Sequence, residues 1–573
     1  MEGLKLSLAW ILLLLAASSM ASAAIVEHTF HVKNLTVSRL CKRQVITAVN
    51  GSLPGPTLLV REGDTLVVHV VNQSPHNITI HWHGIFQRMS QWSDGPSMIT
   101  QCPIQPGQKY TYRFTVTGQE GTLWWHAHAS FLRATVYGAL VIRPRDGHSY
   151  PFPKPDKEIP ILLGEWWNAD VVELENIAVA TGVPPNNSDA YTINGLPGDL
   201  YPCSKDRMFS LRVVKGKRYL LRIINAAMNI QMFFKIANHK LTVVTVDAVY
   251  TNPYVTDVIV IAPGQTVDAI LLADQSVGSY YMAARAYNSA PAVPFPNTTT
   301  RAVLHYSGGA STSTRSRGRG RVLMPRLPSF FDTPTAHRFY SNLTSHVGAR
   351  HWVPVPRHVD EEMLVTVGLG LEACTDNATC PNGPKFSASM NNHSFVLPTT
   401  LSVMQAAFYR VGRVFTADFP DQPPVKFDYT NPNITQLNPP LLFAPKKTSV
   451  KVLRFNATVE MVLQNTALVA AESHPMHLHG FNFHVLGQGF GNYDPNRDRK
   501  NLNFFDPQFR NTLAVPVGGW AVIRFTADNP GAWVMHCHID VHLPFGLGMV
   551  FLVENGPTPS TMLPPPPPDL PQC

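Results

Sequence analysis

The sequence predicts an all-β protein of three related domains, on grounds of composition, length and an internal repeat. The chain is 45% hydrophobic and only 15% charged, and it is rich in Pro (49) and Gly (37). Its apolar residues fall in short alternating runs such as Thr65–Val71. Alternation at period two gives a strand one buried face, and frequent Pro and Gly punctuate the chain with turns. A length of 573 residues exceeds one core, and roughly 150 residues per domain suggests three or four.

The elements follow in chain order. Met1–Lys5 carry charge, Leu6–Ala17 are almost wholly apolar, and Ala21-Ser22-Ala23 is a small-residue cleavage site. Residues 1–23 therefore read as a secretory signal peptide, too short for a membrane anchor. No later run reaches the ~18–20 apolar residues that cross a bilayer, so an extracellular protein off the membrane is expected. Eleven N-x-S/T sequons agree with this (Asn34, Asn50, Asn72, Asn77, Asn186, Asn297, Asn342, Asn377, Asn392, Asn433 and Asn456), with some unused, since Asn77 falls in an expected strand.

The repeat is read from three corresponding stretches. Gly63-Asp64, His81-Trp82-His83-Gly84 and Pro106-Gly107-Gln108 lead to Gly121, with His126 and His128 at offsets five and seven and Gly138 ten further on. Near the end, His477-Leu478-His479-Gly480 and Gly518 lead to Gly531, with His536, His538 and Gly548 at the same offsets. In the middle copy, Pro263-Gly264-Gln265 leads to Gly278, where Ala283 and Arg285 replace the two histidines. Domains are accordingly placed at 24–148, 157–306 and 350–573, the last ending in a Pro-rich tail, with a linker at 307–349. Four arginines in Ser307–Arg321 contribute to the net charge of +8. In a secreted chain this Ser/Gly/Arg stretch reads as a solvated linker with weak adhesion to acidic wall polymers, rather than as a nucleic-acid site.

Four H-x-H pairs in register define the candidate site: His81/His83, His126/His128, His477/His479 and His536/His538. Residues i and i+2 of a strand share a face, so each pair aims two imidazoles at one point. Eight imidazoles from two domains suit several metal ions held between them. Cys537 lies between His536 and His538 and so points the opposite way, into its own domain. With His474 and His542 it makes the two-His, one-Cys set of blue copper. Closed structural zinc sites are richer in Cys and catalytic ones have three protein ligands, so copper is preferred. Seven cysteines leave one unpaired, and spacing alone leaves fifteen pairings of the other six open.

In combination, H-W-H-G, W-W-H-A-H, H-P-M-H-L-H-G and H-C-H-I-D-V-H-L-P-F-G-L resemble the four motifs of the multicopper oxidases, over nearly the whole mature chain. The tail Leu563–Cys573 is similar to that of plant laccases. The resemblance implies three cupredoxin-like Greek-key sandwiches and four copper ions: one type 1 (His474, Cys537, His542), one type 2 (His81, His477) and two type 3 (His83, His126, His538 and His128, His479, His536). It also implies the disulfides Cys41–Cys203, Cys102–Cys573 and Cys374–Cys380. The implied reaction is one-electron oxidation of phenols, such as lignin precursors, coupled to four-electron reduction of dioxygen to water, with Cys537 passing electrons to His536 or His538. Asp94 resembles an acidic residue near the type 2 copper and is the candidate proton relay; the other reading is a turn-forming Asp before Gly95. Asp540 reads as a partner that fixes neighbouring histidines. Leu547 occupies the family's axial position and cannot coordinate, while Met549 reads as packing.

Two other oxidases share this scaffold. An ascorbate oxidase would carry Met where Leu547 stands. A metal-ion oxidase would need carboxylates at the type 1 site, whereas Leu543, Pro544 and Phe545 follow His542. A non-catalytic relative would have lost ligands, and all eleven are kept. The expected partners are phenols and dioxygen, with no nucleic acid and no membrane, and the chain is read as a monomer.

Overall fold

The computed structural model describes residues 23–204, 207–290, 293–307, 322–373 and 383–573. The signal peptide (all but residue 23), the arginine run of the linker, Cys374–Cys380 and the Asn377 sequon lie outside the described residues.

Strands dominate, and their burial alternates as the sequence pattern demands. Lys109–Thr115, for example, alternates inward Tyr110, Tyr112 and Phe114 with outward polar residues. The first sandwich pairs one sheet, in the order Lys42–Val49, Ile25–Arg39, Thr65–Asn72, Lys109–Thr115, with a second, Leu58–Arg61, Tyr137–Arg143, Gly121–Ala127, Ile80–His83. The second sandwich has sheets of six and five strands, and so does the third. Each sandwich has its own apolar core. The chain is thus all-β with three domains, as expected.

The repeat is visible in strand pairing. In the first sandwich His81 lies opposite His126; in the third His477 lies opposite His536 and Met476 opposite Cys537. His128 and His538 each follow the last residue of a strand, with backbone N–H groups donating to Thr79 O (3.1 Å) and Pro475 O (2.6 Å). In the second sandwich Ala283 and Arg285 pair with Lys235 and Phe233 instead.

The second sandwich clamps the other two. Its hairpin Leu241–Val246/Val249–Thr256 turns through Asp247 (φ 45°) and Ala248 (φ 60°), the left-handed pair that a two-residue hairpin turn requires. The Asp247 carboxylate accepts from Arg510 Nε of the third sandwich (3.0 Å) and from Thr512 N (3.3 Å). Ala248 packs into the core of the first. Alongside, buried Arg222 donates to Asp268 (3.0 Å), Glu158 (3.1 Å) and Thr122 of the first sandwich (2.8 Å).

Part of the segment read as linker is folded: helix Thr333–Ser341 starts at Asp332, whose carboxylate accepts from Thr335 N, and buries Ala336, Phe339 and Tyr340 in the second core. The Pro-rich tail returns to the first sandwich, where Leu570 joins the core and Pro564 O accepts from Trp92 Nε1 (2.8 Å). Cys102–Cys573 secures it (Cα–Cα 5.0 Å), and Cys41–Cys203 (5.9 Å) joins the first two sandwiches. Cys537 is free and buried. Of the sequons, Asn77 is exposed and outside any strand, contrary to expectation. Among the described sequons Asn72 is the buried one, its amide committed to His76 O and Ile104 O.

Both members of the Asp247–Arg510 pair are 1% exposed. Removing one partner of a buried pair leaves an uncompensated charge at a cost of about 3–5 kcal/mol. Asp247→Asn should therefore lower the thermal midpoint markedly in a melting experiment. An unchanged midpoint would show that the clamp does not depend on this pair.

Candidate metal centre

The eight paired histidines meet between the first and third sandwiches. Three groups have ligand atoms all within 4.8 Å of one another: His81, His83, His477; His83, His126, His538; and His128, His479, His536. The rings pack closely, with His81 on His479 at 3.9 Å and His83 on His477 at 3.8 Å between centroids. All are buried except His128, which is partly exposed.

Hydrogen bonds fix which nitrogen faces inward. Backbone carbonyls accept from the Nδ1–H of His81 (Asp94 O, 2.7 Å), His126 (Ala127 O, 2.9 Å), His477 (Asn511 O, 3.0 Å) and His536 (Cys537 O, 2.9 Å). Asp94 Oδ2 accepts from His479 Nδ1 (2.9 Å). The Nε2 atoms of His81, His126 and His477 are buried with no hydrogen-bond partner. His83 is turned round: Nε2 faces Asn511 Oδ1 (3.2 Å) and Thr512 Oγ1 (3.1 Å), and Nδ1 faces His538 (3.2 Å). Burial, followed by the neighbouring imidazoles, holds His83, His477 and His479 well below the usual range. His126, His128 and His538 are likewise held well below it, burial again being the largest cause. Burial also brings His536 down to about 3. Neutral rings with bare, inward lone pairs are what a cluster of transition-metal ions requires.

The second donor set lies inside the third sandwich. Cys537 is 0% exposed within its core, with Sγ 3.3 Å from His542 Nδ1 and 3.7 Å from His474 Nδ1. This triangle of two nitrogens and one sulfur matches the donor chemistry of blue copper. The strand Gly531–Cys537 pairs with Gly548–Val553 so that His536 lies across from Gly548 and Met535 across from Met549. Cys537 N–H donates to Leu547 O (3.0 Å), which continues that register and sets the fully buried Leu547 across from Cys537. Met549 lies over Met535 in the apolar core.

Asp94 is fully buried and touches two histidines, with Oδ1 3.4 Å from His81 Nδ1 and Oδ2 bonded to His479. It also closes a turn, its N–H donating to Gln91 O. Gly95 (φ +97°) is required here, because a Cβ would lie 1.9 Å from Ile80 O. Asp540 does not face an imidazole. Its carboxylate faces Arg133 (3.5 Å), and burial raises it above the usual range, Arg133 opposing.

Four features escaped sequence reasoning. Arg133 is buried against His538 and donates to its carbonyl (3.1 Å). Asn511 and Thr512 orient His83 and His477. Gly264 (φ +91°) sits where a Cβ would meet His538 at 2.9 Å and His83 at 3.1 Å; its place in the repeated Pro-Gly-Gln was the available signal. Glu472 Oε1 lies 3.1 Å from His542 Nε2. Burial opposes charge on His542, but Glu472 and Cys537 outweigh it and push it up to about 10. A carboxylate therefore does border this site, and its signal was the offset of two from His474.

A cavity of about 420 Å³ opens on His126, His128, His536 and His538 and carries Glu175 and Asp540 on its wall. Glu175, on helix Val171–Thr181, accepts from Phe131 N (3.0 Å). Burial, then Asp540, pushes it up to about 7.

Family models described as multicopper oxidase match residues 31–147, 157–309 and 418–557. The chain is 78% identical to Laccase-7 of Arabidopsis thaliana over 574 residues, covering 100% of each. It is 57% identical to Laccase-25 of Oryza sativa subsp. japonica, covering 99% of this chain and 100% of the relative. Among solved structures, a laccase from Botrytis aclada is 27% identical with a TM-score of 0.69, covering 93% of this chain and 88% of its own. A multicopper oxidase that functions in iron import superposes with the same TM-score at 23% identity, over 92% of this chain and 90% of its own, a likeness of fold.

Two outcomes follow from this geometry. Gly264→Ala should keep the β-sheet circular dichroism spectrum but lower the metal content of the eight-histidine cluster; full metal content would show that this contact does not hold His83 and His538. Glu175 ionises less readily folded than unfolded, so folding stability falls as pH rises through about 4.5 to 7. Glu175→Gln removes that loss, so its stability advantage should grow by on the order of 2 kcal/mol between pH 5 and pH 8. Parallel stability curves for the two proteins would contradict this.

Proposed function

The chain belongs to the multicopper oxidase family, in its laccase branch, and from that premise we propose that it acts outside the cell on monolignols and related phenolics. The reading rests on full-length 78% identity to a laccase, joined to a His–Cys–His triangle adjacent in sequence to a buried eight-histidine cluster. The proposed assignment gives type 1 copper to His474, Cys537 and His542. Type 2 goes to His81 and His477, and the type 3 pair to His83, His126, His538 and His128, His479, His536. Copper bound at these residues supplies the one-electron chemistry by which four phenol oxidations are matched to one dioxygen reduced to two waters.

The chain's own residues do the rest. Cys537 belongs to one donor set and its neighbours His536 and His538 to the other, so the two sets are joined by consecutive residues. Leu547, fully buried across from Cys537, has a hydrocarbon side chain and would add no further donor to a copper held by His474, Cys537 and His542. The about 420 Å³ cavity gives dioxygen and water a way to the histidines. Asp94 Oδ1 has no hydrogen-bond partner, and in this proposal it is the atom that takes and releases protons while Oδ2 holds His479. Glu472 belongs to the substrate end, holding His542 in place. Because a carboxylate is present there, apolar neighbours alone do not separate phenol from metal-ion oxidation; the laccase relatives favour phenols. Secretion, monomeric state and weak adhesion to acidic wall polymers complete the proposal.

Side-by-side turnover of a methoxyphenol, ascorbate and ferrous ion by purified holoenzyme tests the substrate class, with the phenol expected to lead. Cys537→Ser should abolish the blue colour while the other three coppers remain. Colour persisting in that variant, or zinc in place of copper, would refute the assignment.

A further inference from the structure

A second cavity, of about 690 Å³, lies on the second sandwich between the strands Gln231–Ile236 and Val249–Thr256 and the helix Thr333–Ser341. It shares no lining residue with the cavity at the histidines. Its volume is within the ~300–1,000 Å³ of small-molecule sites, and its charge is lopsided. Four cations (Lys235, Lys240, Arg326 and Arg338) line it with two carboxylates.

Both carboxylates are already engaged. Asp257 pairs with Lys235, and Asp332 spends both oxygens on the helix start, accepting from Thr335 N (3.0 Å) and Thr335 Oγ1 (2.8 Å). Lys240, Arg326 and Arg338 have no acidic partner among the described residues. All three are exposed at the cleft, so these cations are open to an anion from solution. Half-buried Tyr254 lies in the same wall, tilted at 58° to Phe339 (centroids 5.9 Å), and brings an aromatic ring beside the cations. Arginine forks match carboxylate geometry, and an aromatic face matches the C–H face of a sugar ring.

We propose that this cleft binds an acidic oligosaccharide, its carboxylates taken by Lys240, Arg326 and Arg338 and a sugar ring laid against Tyr254. The ligand is held, not transformed. The cleft would fix the enzyme to an acidic polysaccharide while leaving the copper sites free. This rests on the extracellular reading above, and it gives the wall adhesion a built site instead of a run of arginines.

The test titrates holoenzyme with a galacturonate oligomer, a neutral glucose oligomer of equal length and inorganic phosphate, and assays methoxyphenol turnover on the same samples. The triple variant Lys240→Gln, Arg326→Gln, Arg338→Gln should bind the acidic oligomer about tenfold more weakly or worse, and Tyr254→Ala should also weaken it. Replacing Arg315, Arg317, Arg319 and Arg321 by Gln should leave binding within about twofold. Turnover should be unchanged throughout, and neither the neutral oligomer nor phosphate should compete. Undiminished binding by the triple variant, or a loss confined to the arginine-run variant, would overturn the proposal. Equal competition by phosphate would also overturn it, reducing the cleft to a free-anion site. Absent turnover in the parent enzyme would instead count against the laccase reading, whatever the binding result.

Discussion

Eight imidazoles share one buried space between two sandwiches, and that space is tolerable only if the rings stay neutral and aim bare nitrogens at a common centre. A buried polar atom without a partner costs on the order of 1–3 kcal/mol, and the Nε2 atoms of His81, His126 and His477 are such atoms. The protein carries these deficits because carbonyls and Asp94 hold the opposite nitrogens. A metal bound there would satisfy the lone pairs and so contribute to stability as well as to chemistry. Each H-x-H strand, the packing of the first sandwich on the third and the short link through Cys537 serve that arrangement.

The second sandwich carries none of the eleven candidate ligands, yet it touches the segments that present them. Its Asp247-Ala248 turn reaches both partners, Gln265 Nε2 donates to Thr512 O (3.1 Å), and Trp124 Nε1 donates to Gly264 O (3.1 Å). Gly264 itself lies within a methyl group's distance of the His83 and His538 rings. In this copy of the repeat, Pro-Gly-Gln has kept its place while the histidines have gone. The position retained is one that presses on the cluster.

The fold and the candidate ligands were legible in the sequence because both are written at short range. Period-two alternation marks strands, and H-x-H marks a strand face, so the four pairs could be read without knowing how the sandwiches pack. Cys537 could be separated from its neighbours by the same parity. Residues that approach from elsewhere were hidden: Arg133 meets His538 across 405 positions, and Asn511 meets His83 across 428. Their alignment depends on packing between sandwiches, which no local pattern encodes. Glu472 was different, since its offset of two from His474 is a local pattern, on the other side of the site from Leu543, Pro544 and Phe545 in sequence. The helix Thr333–Ser341 was overlooked inside a segment defined by its arginine-rich start.

On the proposed assignment the two donor sets hold four copper ions, one within the third sandwich and three between it and the first. Diffraction from holoenzyme crystals at and below the copper absorption edge tests it most directly. The account predicts four anomalous peaks that vanish below the edge: one within the triangle of His474, Cys537 and His542, and three among the eight paired histidines. Fewer peaks, peaks that persist below the copper edge, or a metal lying away from these residues would contradict it.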